Sequence, residues 1–197
     1  MIRSGKVVRK TTETDVVLEI VLNCSDASSI TTTMPFLDHM LNLLAKHGAI
    51  SLTITASGDT EIDEHHLVED IGISLGLALK EALGNKAGIS RYGFSLTPMD
   101  EALCAVALDI SGRSYLVFNV KLANRRKLGS FDPALVKEFF KAFSDNSGVT
   151  LHINLEYGSN THHIVEVIFK AFALALKMAT REVDDKANIP STKGLIG

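Results

Sequence analysis

A helix start that occurs twice constrains this chain more than any other feature. It reads His65-His66-Leu67-Val68-Glu69 and, 97 residues on (162 − 65), His162-His163-Ile164-Val165-Glu166. The likeness runs past the histidines. Residues 65–82 and 162–179 agree at about half their positions, Ala78-Leu79-Lys80 against Ala175-Leu176-Lys177 among them. A repeat of this length indicates a duplicated half-unit.

Residues four apart on a helix share a face, whereas adjacent ones point about 100° apart. His65 and Glu69 are therefore expected to converge on one ion, with His66 aimed at a second. The same split sets His162 and Glu166 apart from His163, so the motifs predict two metals rather than one. Imidazole nitrogen with carboxylate oxygen suits Mn, Fe, Co, Ni or Zn, and no Cys lies near either motif to close a structural zinc site. The expectation is a catalytic or substrate-binding metal.

With 197 residues, 46% of them hydrophobic, the chain is long enough for one globular unit. A net charge of −3, with 20 Lys and Arg spread along the sequence, offers no basic stripe for nucleic acid. No apolar signal core follows Met1, and no apolar stretch reaches the ~20 residues that span a bilayer. A soluble, cytoplasmic protein with no membrane partner is expected. Cys24 and Cys104 lie in apolar, strand-like segments and read as small buried hydrophobes.

The first half, about residues 1–90, reads as strands at 6–11 and 16–23, a helix opened by Pro35 and stopped at Gly48, a strand at 50–56, and the first motif helix ending near residues 84–86. The second, about 91–197, repeats the order. It has strands at 93–97 and 103–109, an extended stretch at 114–120, a helix at 133–143, a strand at 149–155 and the second motif helix to about Val183. The predicted class is α+β, two β-β-α-β-α half-domains with mixed sheets and packed helices. Ala171-Phe172-Ala173-Leu174-Ala175-Leu176 is apolar nearly all round, which calls for burial on more than one side.

Two polar loops, Asp109-Ile110-Ser111-Gly112-Arg113-Ser114 and Pro190-Ser191-Thr192-Lys193-Gly194, combine small residues with a cation and suit phosphate as well as a solvated turn. His39, beside Asp38 at a helix start, and His152, on the strand leading to the second motif, read either as further ligands or as hydrogen-bonded core histidines. His47, just before Gly48, fits a cation at a helix C-terminus.

These residues together resemble the imidazoleglycerol-phosphate dehydratase family of histidine biosynthesis. The resemblance rests on Phe36-Leu37-Asp38-His39-Met40-Leu41, Glu64 to Asp70, Arg91-Tyr92-Gly93, Pro98-Met99-Asp100-Glu101-Ala102, the Asp109 loop, Phe131-Asp132 with Glu138-Phe139-Phe140, Asn160-Thr161-His162-His163 and the Pro190 tail. It implies a fold like the second domain of ribosomal protein S5, two Mn²⁺ per active site, and a homo-oligomer of 24 subunits built from trimers, with active sites between subunits. By motif match, His39, His65, His66, Glu69, His152, His162, His163 and Glu166 resemble the metal ligands, and Arg91, Arg113, Ser191 and Lys193 the phosphate contacts. Departures from the family pattern (Thr33-Met34-Pro35, Leu67, Ser114, Val167) remove no ligand.

The reaction so implied dehydrates imidazoleglycerol phosphate to its ketone. The proton to be lost sits on a carbon with no neighbouring carbonyl, so the imidazole ring must be the electron source. An imidazolate held between two Mn²⁺ ions, followed by a diazafulvene, is the expected route. Glu13 is the expected general acid–base, with Asp100 as the alternative. Two other readings use the same ligands: a two-metal phosphate-ester hydrolase, which would release phosphate, and a non-catalytic metal-binding shell, which has no use for clustered Arg91, Arg113 and Lys193.

Overall fold

The computed structural model describes residues 2–122, 126–185 and 187–196. β1 (Ser4–Lys10) and β2 (Thr14–Val21) form a hairpin, followed by β3 (Ser29–Thr31), α1 (Pro35–Gly48), β4 (Ser51–Gly58) and α2 (His65–Leu83). The second half repeats this sequence of elements as β5 (Tyr92–Met99), β6 (Ala102–Asp109), β7 (Tyr115–Asn119), α3 (Leu135–Ser147), β8 (Thr150–Tyr157) and α4 (Thr161–Thr180). The sheets have matching orders, β1-β2-β4-β3 and β5-β6-β8-β7, antiparallel except where β3 meets β4 and β7 meets β8. The fold is α+β with a duplicated half-domain, as the repeat predicts.

Each half carries one strand more than the β-β-α-β-α order expected. The extended stretch near residues 114–120 is a full sheet member, β7, and it has a counterpart in β3. Only three residues long, β3 shows no alternation that a sequence pattern could reveal. Cys24 also departs from expectation: it lies beyond the end of β2, half-buried, while Cys104 is buried inside β6 and burial pushes its thiol up to about 12.

Alternation puts Val16, Leu18 and Ile20 of β2 inward, against helices. α2 packs on β1 and β2 and α4 on β5 and β6, while the halves meet helix to helix, α2 on α3 and α1 on α4. The helices therefore lie between the two sheets. Phe139, Phe140 and Phe143 of α3 and Phe169 and Phe172 of α4 fill this region, with neighbouring ring centroids 5.1–5.4 Å apart.

Glycine sets the closest approaches. A Cβ on Gly5 of β1 would stand 2.1 Å from the carbonyl oxygen of Ala78 on α2, and one on Gly93 of β5 would stand 1.9 Å from that of Ala175 on α4. The two contacts are equivalents, offset by 88 in the strand (93 − 5) and by 97 in the helix (175 − 78). α2 and α3 approach through Gly72 and Gly76, whose Cβ positions would fall 2.6 Å from the carbonyl oxygens of Phe139 and Phe143.

Because both obstructing atoms are backbone, Gly5→Ala and Gly93→Ala are each expected to destabilise the fold by about 1–3 kcal/mol. Denaturant unfolding of the two variants checks this, and a cost at only one site would break the equivalence.

Candidate metal and phosphate sites

The helix starts place the motif histidines. On α2 the His65 N–H donates to Asp63 Oδ1 at 3.0 Å; on α4 the Asn160 Oδ1 caps the helix by accepting from the His162 N–H at 2.9 Å. Adjacent imidazoles then diverge, with ring planes at 85° for His65 and His66 and 84° for His162 and His163.

On α4, His162 Nε2 lies 3.1 Å from Glu166 Oε2, and His39 Nε2, from α1, lies 3.7 Å from the same oxygen. The three ligand atoms fall within 4.8 Å of one another. Lys170, one turn further, donates from Nζ to the other oxygen, Oε1, at 2.6 Å. Burial pushes the Glu166 carboxyl up, but Lys170, His162 and His39 outweigh it and the net shift is down. Glu166 is therefore an anion with one oxygen turned to two imidazoles, a donor set that suits a divalent cation. His47 is pushed down, first by burial and then by the neighbouring Lys170 charge.

The remaining ligand candidates fall into separate groups. His65 Nε2 is 4.0 Å from Glu69 Oε2. His66 Nδ1 lies 3.1 Å from Asp59 and 3.8 Å from Glu13, and these three form a second set within 4.8 Å. His163 Nδ1 is 2.7 Å from Glu101 Oε2, with Asp100 at 3.8 Å from Nε2. Asp100 itself stands exposed at the hairpin tip at φ 46°. The hydrogen bonds to Asp59 and Glu101 raise the His66 and His163 imidazoles. Glu101 falls to about 2, through His163 first and the Asn160 N–H next.

His152 joins none of these. It is exposed on the outer face of the second sheet, in register with Ala107 on one side and Val117 on the other, and Phe94 continues the row.

Arg91, Arg113, Ser191 and Lys193 do come together, around a cleft of about 790 Å³ that Tyr92 and Ser111 also line. Arg91 is fixed by a bidentate pair to Asp109 (2.7 and 3.1 Å) and by donation to the Pro190 carbonyl at 2.7 Å. It thereby ties the tail to the start of β5. Ser111 and Thr150 hydroxyls donate to the Arg113 carbonyl at 3.2 and 3.0 Å, leaving its side chain exposed on a fixed backbone.

The cleft lies at the far end of α4, where the Arg91 N–H donates to the Ala179 carbonyl. At 1.5 Å per residue that is about 25 Å from His162. α2 also finishes at this end, since Arg3 joins its last residue, Leu83, to Glu182 beyond α4. Within one chain, the cation cleft and the histidine clusters are thus a helix length apart.

Asp59, Glu101 and Lys170 were not among the residues expected at the sites. Lys170 could have been found from its spacing, four residues beyond Glu166 on the same face. Glu101 is the counterpart of Glu13 at the strand offset of 88, which becomes visible only once both hairpins are in register.

The family model for imidazoleglycerol-phosphate dehydratase matches residues 32–176. A relative of that name from Syntrophus aciditrophicus is 53% identical over the full length of both chains, and one from Acetivibrio thermocellus is 55% identical over the same extent. Among solved structures, the dehydratase of Staphylococcus aureus superposes with a TM-score of 0.82 at 42% identity, over 91% of this chain and 99% of its own. The Pyrococcus furiosus enzyme, in complex with (S)-C348, gives 0.83 at 38% identity, over 96% and 100%. With a family model covering most of its length and full-length relatives above half identity, the chain belongs to the imidazoleglycerol-phosphate dehydratase family.

Proposed function

We propose that the chain dehydrates imidazoleglycerol phosphate to imidazole-acetol phosphate, at active sites shared between copies in a cytoplasmic homo-oligomer. The observation that carries the reading is the pairing of two His-His-x-x-Glu helix starts with a cation-lined cleft at the opposite helix ends. A small phosphorylated imidazole cannot span about 25 Å, so the cleft of one copy must face the histidines of another. The row of exposed Phe94, Ala107 and His152 with half-buried Val117 fits such an assembly, since it offers apolar surface together with an unused ligand. A shell of 24 subunits built from trimers is the form the family resemblance suggests.

His39, His162 and Glu166 form the best-assembled ligand set, with His65, Glu69, His66, His163 and His152 supplying the rest to two Mn²⁺ per site. When bound, Mn²⁺ supplies Lewis-acid stabilisation of the deprotonated imidazole ring. The chain's own groups do the remaining work. Arg91, Arg113, Ser191 and Lys193 hold the phosphate and so orient the reacting end. The ring's electrons would expel the adjacent hydroxyl, which combines with the proton given up by the ring and leaves as water, giving a diazafulvene. Glu13, at the hairpin tip beside His66, then takes the proton from the next carbon, and the resulting enol becomes the ketone.

Chelator-stripped protein with added Mn²⁺ is expected to form the ketone without releasing phosphate. Phosphate release would favour the hydrolase, and no product with or without metal would leave only metal binding. Lys193→Ala is expected to raise KM about 10- to 100-fold with bound manganese unchanged; loss of metal at constant KM would contradict the phosphate role. Glu166→Gln should lower manganese content and turnover together, measured by metal analysis alongside the rate.

A further inference from the structure

We propose that Asp70, acting through Thr14, is the positioning residue that holds Glu13 with its carboxylate free before His66, a device the second half of the chain lacks. This rests on the reading of Glu13 as the acid–base group.

Asp70 directly follows Glu69 on α2. Adjacent helical residues diverge by about 100°, so Glu69 is turned toward His65 while Asp70 is buried beneath the β1–β2 hairpin. Its Oδ1 accepts from Arg9 Nε at 2.8 Å and its Oδ2 accepts from the Thr14 hydroxyl. A carboxylate can only accept, so the direction of every bond above it follows. Thr14 donates to Asp70, leaving its oxygen to accept from the Thr11 hydroxyl at 3.1 Å. Thr11 in turn accepts from the backbone N–H groups of Glu13 and Thr14 at 3.1 and 2.9 Å. The Glu13 carbonyl accepts from the Asp59 N–H at 3.1 Å. The backbone of Glu13 is thus held on both sides, while its side chain stays half exposed, 3.8 Å from His66.

The second half offers an internal comparison. At the strand offset of 88, Met99 stands for Thr11, Glu101 for Glu13 and Ala102 for Thr14; at the helix offset of 97, Val167 stands for Asp70. The hydroxyl and carboxylate links are gone. The hairpin is held there by Glu101 itself, which accepts from the N–H groups of Ser159 and Asn160 at 3.2 and 2.7 Å and pairs with His163. Two equivalent carboxylates at equivalent turns therefore have different duties. Glu101 fixes a loop and a histidine, and Glu13, relieved of that by the chain running to Asp70, is left to exchange a proton.

Thr14→Val removes one hydroxyl at nearly constant volume. In the full-length, manganese-loaded protein it is expected to lower kcat on imidazoleglycerol phosphate about tenfold, with KM and bound manganese unchanged and Thr14→Ser restoring the rate. In a Glu13→Gln background, Thr14→Val should cost nothing further, because both changes act on one group. An unchanged kcat, failure of Ser to restore it, or the same fold-loss with Gln at position 13 would overturn the positioning role. Full turnover by Glu13→Gln alone would instead remove the underlying acid–base reading. Should Thr14→Val not fold, Thr11→Ala, on the half-buried link nearest Glu13, puts the same question through the same measurements.

Discussion

The contact between a strand glycine and a helix carbonyl, made once in each half, sets the geometry on which the rest depends. With no side chain at Gly5 or Gly93, α2 and α4 settle against their sheets so closely that Ala78 and Ala175 touch strand backbone. A helix seated at that height and rotation has its first turn beside the tip of the β1–β2 or β5–β6 hairpin. His66 therefore meets Glu13 and His163 meets Glu101, although their sequence separations exceed fifty residues. The sites are consequences of packing at the opposite end of each helix as much as of the residues that form them.

The helix starts also solve an electrostatic problem. The N-terminal end of a helix carries partial positive charge, which disfavours a further cation, yet four imidazoles stand at two such ends. Each has its own carboxylate: Glu69 with His65, Asp59 with His66, Glu166 with His162 and Glu101 with His163. Each carboxylate offsets the positive helix end beside its imidazole. Lys170 takes one oxygen of Glu166, Oε1, and leaves Oε2 facing His39 and His162.

Much of this was legible in the sequence because period and repetition are local signals. The i,i+4 spacing foretold the His162–Glu166 contact and the divergence of the neighbouring histidines, and the repeated Ala78 and Ala175 segments foretold the equivalence of the halves. What the sequence withheld was long-range or very short. β3 has too few residues to show alternation, and Asp59 sits in a polar link with no periodicity. For His152 the sequence leaves open a ligand or a core histidine; the structure removes the core alternative by exposing it on the outer sheet face, because strand register rather than spacing decides which side of a sheet a residue takes. The Asp109 and Pro190 loops read as two unrelated anion candidates, and Arg91 enters only through the family resemblance; its bonds to Asp109 and Pro190 bring these segments to one cleft.

The outer row that holds His152 has a thermodynamic corollary. On the shared-site reading, His152, displayed beside Phe94, Ala107 and Val117, would complete a metal site only when another copy covers that face, so the assembly would hold the ion more tightly than one chain would through His39, His162 and Glu166. Metal and neighbouring copies are then linked by mass action, each tightening the hold of the other. On that reading, a chain leaving the assembly would weaken its hold on the ion and uncover this sheet face in the same event.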